Sequence, residues 1–208
     1  MYSMQGIVRK SISNATNQFE KLGYVGNNLA NMNTRGYKSV SFEQMLKEDG
    51  YITGAVRSDY KQGSIQITSN PYDVAISGVG FIPVVSPEGE VAYTRDGSFK
   101  QGKDGYLVTA DDWIVGEGIK IPTNCYKFEI KSNGEVFSYD AADATPKKLG
   151  TIPLVRFASQ ENLEQAGMNK LVPTEDSGEA ELVKDHECFC QNNLENSNTN
   201  IYLSLIHI

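Results

Sequence analysis

An apolar stripe near the amino terminus is the feature that most constrains how this chain can fold. Apolar side chains recur there every three or four residues, a spacing that places them along one side of an α-helix. The members of the stripe are Val8, Ile12, Ala15, Phe19, Leu22, Val25, Leu29 and Met32. The opposite side is polar and carries Arg9, Asn14, Asn17, Gln18 and Lys21. The sequence therefore predicts a long amphipathic helix that stops near Gly36.

Two glycines, Gly23 and Gly26, interrupt this predicted helix. Each costs about 1 kcal/mol of helix stability relative to alanine. They either permit close contact with another helix or mark a weak point. The stripe also has two possible partners, the core of its own chain or the helices of other molecules, and the pattern alone favours neither.

The middle of the chain has the pattern of a β protein. Short β-prone runs alternate with turn signals at Glu88-Gly89, Asp104-Gly105 and Asn133-Gly134. The last signal lies between the runs 128–130 and 136–139, and it predicts a hairpin with a two-residue type I′ loop. Many short strands with frequent turns are typical of a sandwich or an irregular barrel.

Two segments after these strands are expected to differ from them. A short helix is predicted from Ser159, with Leu163 facing inward and Gly167 following its end. From Cys190 the composition turns to asparagine, which indicates a boundary or linker.

The predicted fold class is mainly β with terminal helices, an α+β chain with an irregular all-β central domain. Four parts are expected: an N-terminal helical arm (1–38), an extended connector (39–72), a β-rich body (73–189), and a polar C-terminal segment with an atypical tail (190–208).

Charge and hydropathy exclude several classes of function. The net charge is −7, from 19 basic and 26 acidic residues, which opposes a role in binding nucleic acid. No run approaches the apolar length of a membrane helix. No apolar region follows Arg9 and Lys10, so we expect no secretory signal, and a protein that is either cytoplasmic or exported by another route.

Candidate catalytic and metal-binding residues are sparse. His186 stands near Cys188 and Cys190, and Cys125 could complete a set of zinc ligands, but the paired Cys-x-x-Cys spacing of such sites is absent. Gly78-Val79-Gly80 lacks the third glycine of a dinucleotide-binding motif. Several aspartates could in principle form a carboxylate pair for glycoside hydrolysis, although nothing fixes a distance between any two: Asp73, Asp96, Asp104, Asp111 and Asp112. We therefore predict no catalytic, cofactor or metal site, and no enzyme activity.

Four groups of residues, in order along the chain, match one known pattern. They are Asn27, Asn28, Leu29, Ala30, Asn31, Asn33, Thr34, Gly36, Tyr37 and Lys38; Asp73, Gly78, Gly80 and Phe81; Thr94, Arg95, Gly97 and Phe99; and Leu194, Glu195, Ser197 and Asn198. Together they closely resemble the signatures of flagellar rod and hook proteins. The short length suits the basal-body rod proteins best, and the pattern is similar to both the proximal and the distal rod types.

The resemblance implies a structural subunit of the flagellar rod, located in the basal body within the bacterial cell envelope. Such subunits leave the cell through the flagellar type III export apparatus without a cleaved signal. They polymerise helically through paired terminal helices, and the rod transmits torque from motor to hook. The implied partners are copies of itself, other rod and hook subunits and the export apparatus. No cofactor, nucleic acid, small-molecule substrate or membrane span is implied.

The resemblance also gives roles to the helical arm and its signature. The stripe from Val8 to Met32 would pack against other subunits. The asparagines at the end of the helix are expected to bond backbone groups there and in the following loop, and Gly36 permits a turn that a side chain would block.

One departure from the family lies at the C-terminal end. The family continues after Asn198 into an amphipathic helix, whereas residues 199–208 have no helical stripe, so we expect that helix to be truncated or replaced. The alternative function is a secreted β-rich carbohydrate-binding or cell-wall hydrolase module. The terminal helix signature and the lack of a catalytic pair argue against that alternative.

Overall fold

The N-terminal helix is present where the sequence predicts it. The structure is a computed structural model that describes residues 4–47, 51–141, 145–183 and 187–200. Within those residues, α1 spans Met4–Ala30 and is the only α-helix. A tight turn follows it, and Gly36 takes a positive φ of 67° there, a conformation that glycine adopts without strain.

A β-hairpin follows the helix and packs against it. Strands β1 (Val40–Leu46) and β2 (Ile52–Ser58) pair antiparallel, with Val40 opposite Ser58 and Leu46 opposite Ile52. Tyr24 of α1 stacks on Phe42 of β1, with ring centroids 5.6 Å apart. The expected extended connector (39–72) is therefore folded over residues 40–46 and 52–58, because β1 and β2 pair with each other and contact α1.

The remaining strands are short and build several sheets. They are β3 (Ile65–Ile67), β4 (Val74–Ile76), β5 (Ile82–Val85), β6 (Val91–Thr94), β7 (Lys100–Gln101), β8 (Leu107–Val108), β9 (Ile114–Val115), β10 (Lys127–Ile130), β11 (Glu135–Tyr139), β12 (Lys147–Thr151), β13 (Val155–Arg156), β14 (Glu164–Gln165), β15 (Lys170–Val172), β16 (Glu181–Leu182), β17 (Phe189–Gln191) and β18 (Asn193–Glu195). The largest sheet has the order β14-β15-β6-β5-β9-β8-β7, and β10, β11 and β12 form another. This confirms the predicted fold class, mainly β with an N-terminal helix.

Two apolar clusters hold the β body together. The larger one contains buried side chains from nearly every part of the body, among them Ile76, Ile82, Leu107, Val136 and Ile152. The smaller one surrounds Phe81 and includes Val155, Phe157, Leu163 and Leu171. Burying such side chains is the main term that stabilises a domain of this size.

The Asn133-Gly134 hairpin forms, but its predicted turn type is wrong. Lys131 and Glu135 close the loop with a 2.9 Å backbone hydrogen bond, so the loop contains three residues (132–134) rather than two. Only Gly134 takes a positive φ, 81°. The geometry is that of a turn with a left-handed glycine at its third position.

The predicted short helix near Ser159 is also wrong. A single 3₁₀ turn, Gln160–Asn162, stands there, and Ser159 makes no side-chain cap hydrogen bond. Leu163 is buried as expected, but Gly167 belongs to the loop of the β14–β15 hairpin. Pairing of residues 164–172 into that hairpin prevents the helix from continuing.

The asparagine-rich segment after Cys190 is part of the folded body. Strand β17 pairs with β4, β18 pairs with β3, and Leu194 and Glu195 are buried. The linker interpretation is therefore wrong as far as Asn200. The predicted atypical tail, residues 201–208, lies outside the described residues.

Candidate functional site

Three charged side chains from distant parts of the chain meet at the junction of helix, body and C-terminal segment. One oxygen of the Glu195 carboxylate lies 2.6 Å from the Lys38 amine, and the other lies 2.8 Å from the Arg95 guanidinium. The Lys38 and Arg95 side chains are 4% exposed, and that of Glu195 is fully buried. We name this group the charge junction: Lys38, Arg95 and Glu195.

Nearby backbone groups complete the hydrogen bonding of the charge junction. Arg95 donates to the carbonyls of Gly78 and Gly80, each at 2.9 Å, and Lys38 donates to the carbonyl of Lys61 at 2.8 Å. Burial lowers the pKa of the Lys38 amine, and the hydrogen bond to Glu195 opposes that shift. Two buried cations thus share one buried anion, an arrangement that is tolerable only while every member is paired.

The turn after α1 approaches the body so closely that only glycine fits. The Gly36 amide donates to the Glu195 carbonyl at 2.8 Å. A Cβ at Gly36 would lie 2.8 Å from the Arg95 carbonyl carbon and from the Asp96 nitrogen. Asn169 adds a 2.7 Å hydrogen bond to the Arg35 carbonyl. These contacts fix where the helical arm leaves the body.

Asparagines hydrogen-bond to one another and to nearby backbone at the base of the arm. Asn31 donates to the carbonyl and the side-chain oxygen of Asn27, both at 2.9 Å, and accepts from Thr34 at 3.1 Å. Asn198 accepts from the Ser39 amide at 2.7 Å and donates to the Asp59 carbonyl at 2.6 Å. The C-terminal segment therefore anchors the first residues after the turn.

The remaining signature residues lie in turns and in the core of the body. Asp73 is buried and accepts from Asn70, Thr94 donates to the Asn169 carbonyl, and Gly97 packs against the Val74 carbonyl. Phe81 and Phe99 lie in the two apolar clusters, while Leu194 is buried in β18 and Ser197 donates to Thr199. Ala30 and Asn33 are exposed.

The apolar stripe of α1 faces away from its own chain. Phe19 is 72% exposed and Leu22 is 47% exposed. The other exposed members are Val8, Ile12, Ala15 and Leu29, while Val25 and Met32 are half-buried. The opposite, polar side of α1 packs against the hairpin, where Asn17 donates to the Ile52 carbonyl at 2.6 Å. This distribution is the reverse of that in a helix packed on its own core, where the apolar side is covered.

The two helix glycines have no neighbours that explain them within the described residues. A Cβ built at Gly23 or Gly26 would have no other atom within 4 Å, apart from the neighbouring residues and nearby helix backbone. No contact among the described residues therefore requires glycine at either position.

A cleft of about 500 Å³ opens beside the charge junction, and two of the candidate aspartates line it. Asp96 accepts from the Ser98 amide and hydroxyl at 2.9 and 2.6 Å. Asp111 accepts from Thr109 at 2.7 Å and also binds the Lys170 amine. Both carboxylates are therefore engaged in local structure. The other three candidates, Asp73, Asp104 and Asp112, are not among the lining residues of this cleft.

Metal ligation has no support in the described part of the chain. No three His, Cys, Asp or Glu side chains there are grouped closely enough to hold a metal ion. The predicted zinc candidates Cys125, Cys188 and Cys190 are free cysteines, and His186 lies outside the described residues. No helix among those residues combines the length and the apolar character needed to cross a membrane.

Neutralising Asp96 is expected to stabilise the protein at neutral pH. Burial raises the pKa of this carboxyl group, so the native state holds its proton more tightly than the unfolded state does. The stability of the native protein should therefore fall as pH rises through that raised pKa, and Asp96→Asn should remove the decline. Urea unfolding between about pH 4 and 7 measures this. Asp176→Asn, at an exposed position without an ion-pair partner among the described residues, is the control and should leave the stability at neutral pH unchanged.

Sequence reasoning named the members of the charge junction but missed their pairing. Lys38, Arg95 and Glu195 each lie within a signature, and their opposite charges at signature positions were the available signal. The contacts of Asn14 and Asn17 with the hairpin were also missed, because their side of the helix looks solvent-facing by composition.

The chain is similar to known flagellar proteins. Residues 75–138 match the family model described as the flagellar hook protein FlgE/F/G D1 domain. The flagellar basal-body rod protein FlgG of Caulobacter vibrioides is 32% identical over 205 residues, which cover 86% of this chain and 78% of the relative.

Two more relatives, a rod protein and a hook protein, differ in how much of their length this chain covers. FlgG of Bacillus subtilis is 33% identical over 196 residues, which cover 81% of this chain and 74% of the relative. The flagellar hook protein FlgE of Rhizobium meliloti is 36% identical over 123 residues, but these cover only 30% of that relative. The likeness to the rod proteins thus extends over most of both chains.

Proposed function

The chain belongs to the family of flagellar basal-body rod proteins, and from this premise we propose that it is a structural subunit of the bacterial flagellar rod. Its place is the basal body of the flagellum. Its direct partners are copies of itself and other rod and hook subunits, and it reaches them through the flagellar export apparatus. The assembled rod transmits torque from the motor to the hook.

The exposed apolar stripe is the observation that carries this proposal. A monomer that hides the polar side of its helix and exposes the apolar side is unfavourable in water unless another molecule covers that side. Val8, Ile12, Ala15, Phe19 and Leu22 follow each other at alternating intervals of four and three residues. This alternation is the spacing of a helix seam that packs against other helices.

The arrangement of arm and body supports an open helical polymer. A subunit whose arm packs on one neighbour while its body meets another makes unlike contacts on its two sides, and such contacts generate filaments. Many weak contacts of this kind give a rigid assembly without one strong site. The charge junction supports this role because it fixes the arm to the body.

The division into parts follows from the same proposal. Residues 1–38 are the polymerisation arm, and strands β1 and β2 belong with it because they pack on α1. The body extends from residue 73 through the described C-terminal segment, since β17 and β18 pair with β4 and β3.

The same proposal makes the protein a scaffold rather than an enzyme. The named relatives are rod and hook proteins, and Asp96 and Asp111 are both held by neighbouring side chains. We propose no role for a cofactor or a small-molecule substrate.

Removal of the gene from its own bacterium tests the proposal. Cells that lack the protein should form no complete rod, carry no external hook or filament and fail to swim in soft agar. Restoring the gene should restore swimming, and hook–basal-body particles purified from those cells should contain the protein. Normal swimming without the gene, or absence of the protein from purified particles, would overturn the assignment.

A further inference from the structure

Side-chain amides of α1 hold the hairpin at two separate points. At the base of the helix, Asn28 accepts from the Val40 amide at 2.9 Å and donates to the Val40 carbonyl at 2.6 Å. About three to four turns earlier in the helix, Asn14 accepts from the Ile52 amide at 3.2 Å and Asn17 donates to the Ile52 carbonyl at 2.6 Å. Each point therefore satisfies one N–H and one C=O group of a strand residue.

These two points lie at opposite corners of the hairpin. Val40 begins β1, and Ile52 begins β2 at the far end. Asn14 and Asn28 are separated by about 21 Å along the helix axis. The six-residue step from Val40 to Leu46, the partner of Ile52, spans about 20 Å along the strand. The spacing on the helix thus matches the spacing on the hairpin.

Asparagine is chemically suited to this task. The backbone groups of an α-helix are used within the helix, so a helix cannot pair with the edge of a strand through its own backbone. The carboxamide of asparagine carries a donor and an acceptor, like a peptide group. It can therefore replace the missing strand partner at an open sheet edge.

Further contacts lie between the two points. Gln18 donates to the Gln44 side chain at 3.3 Å, and Tyr24 stacks on Phe42. Tyr37 donates its hydroxyl to Asn28 at 3.2 Å, which ties the turn after the helix to the same carboxamide.

We propose that Asn14, Asn17 and Asn28 are positioning residues that lock the hairpin across the polar side of α1, so that helix and hairpin act as one rigid lever. Locking the hairpin there leaves the apolar stripe uncovered by the described part of the chain, together with neighbouring polar residues such as Arg9 and Glu20. The use of this lever in the rod rests on the proposed function, whereas the locking itself is a property of the single molecule.

Hydrogen exchange at individual amides tests the locking. The Val40 and Ile52 amides bond to the helix asparagines, whereas the Lys47 and Asp59 amides bond across the hairpin to Tyr51 and Ser39. In Asn28→Ala both hydrogen bonds to Val40 are lost, and we expect about tenfold faster exchange at the Val40 amide. The Lys47 and Asp59 amides should keep their protection, because the hairpin itself stays paired.

A second variant tests the other point independently. Asn14→Ala combined with Asn17→Ala should speed exchange at Ile52 and leave Val40 protected. The matched control is Gln5→Ala, an equivalent loss of a carboxamide at an exposed position of α1. Protection of the Val84 amide in β5 reports whether the body remains folded in each variant.

Unchanged protection at both Val40 and Ile52 would overturn the proposal. So would an equal loss at Lys47 and Asp59, since it would mean that the asparagines only stabilise the hairpin and do not position it. These measurements use unassembled protein, so their failure leaves the rod assignment intact. Failure of the gene-deletion test would leave the locking intact.

Discussion

Replacing Glu195 with glutamine is expected to destabilise the protein by about 3–5 kcal/mol, the typical effect of breaking a buried ion pair by removing one partner. Glutamine preserves the size of the side chain but removes its charge. Lys38 and Arg95 would then be two buried cations without a counterion, where each is 4% exposed in the native protein. Urea unfolding at neutral pH, followed by circular dichroism, measures the change in free energy.

Two comparisons make this prediction specific. Glu161→Gln removes a carboxylate that is 63% exposed and lies 3.9 Å from Arg57, and should change stability little. Lys38→Met added to Glu195→Gln removes one of the two stranded cations, so the double variant should lose less than the sum of the single losses. If Glu195→Gln were no more harmful than Glu161→Gln, the charge junction would not be the element that fixes the arm.

The local elements of this fold were predictable because they are encoded by short-range periodicity. Apolar residues at intervals of three or four from Val8 to Met32 predict α1, and Asn133-Gly134 predicts the β10–β11 hairpin. The turn type of that hairpin was not predictable, since two- and three-residue loops share the same asparagine–glycine signal.

The charge junction was not predictable by such reasoning because its members are far apart. Lys38 and Glu195 are separated by 157 positions, and Arg95 and Glu195 by 100. No local pattern shows that these three charges compensate one another. Distant pairing also explains why the segment after Cys190 was wrongly interpreted as a linker. Its polar composition is typical of a linker, and only pairing with β3 and β4 shows that it is folded.

Which side of α1 faces the rest of the chain was also not predictable from the sequence. The sequence established an apolar and a polar side, and a helix ordinarily turns the apolar side inward. Here carboxamides on the polar side satisfy the open edges of the hairpin, with Asn28 at one end and Asn17 at the other. Those hydrogen bonds are consistent with the observed orientation, in which the apolar stripe is exposed.

Leu22→Asp is therefore expected to abolish incorporation into the rod while leaving the β body folded. In the single molecule Leu22 is 47% exposed, so a carboxylate there remains in water and changes stability little. In a helix seam the same carboxylate would be buried without a partner, which costs several kcal/mol per contact and weakens association by about a hundredfold or more. Cells carrying this variant should fail to swim in soft agar.

The matched control for this prediction is Leu182→Asp, because Leu182 is an apolar residue of the body with similar exposure, 57%. The stripe accounts for assembly only if charge is harmful on α1 and tolerated on β16, so Leu182→Asp cells should swim normally. Circular dichroism and urea unfolding of both purified variants should match the unmodified protein, which separates failure to assemble from failure to fold. Normal swimming and normal rods with Leu22→Asp would show that α1 does not form the seam, because no subunit contact that buries this position could accept the charge.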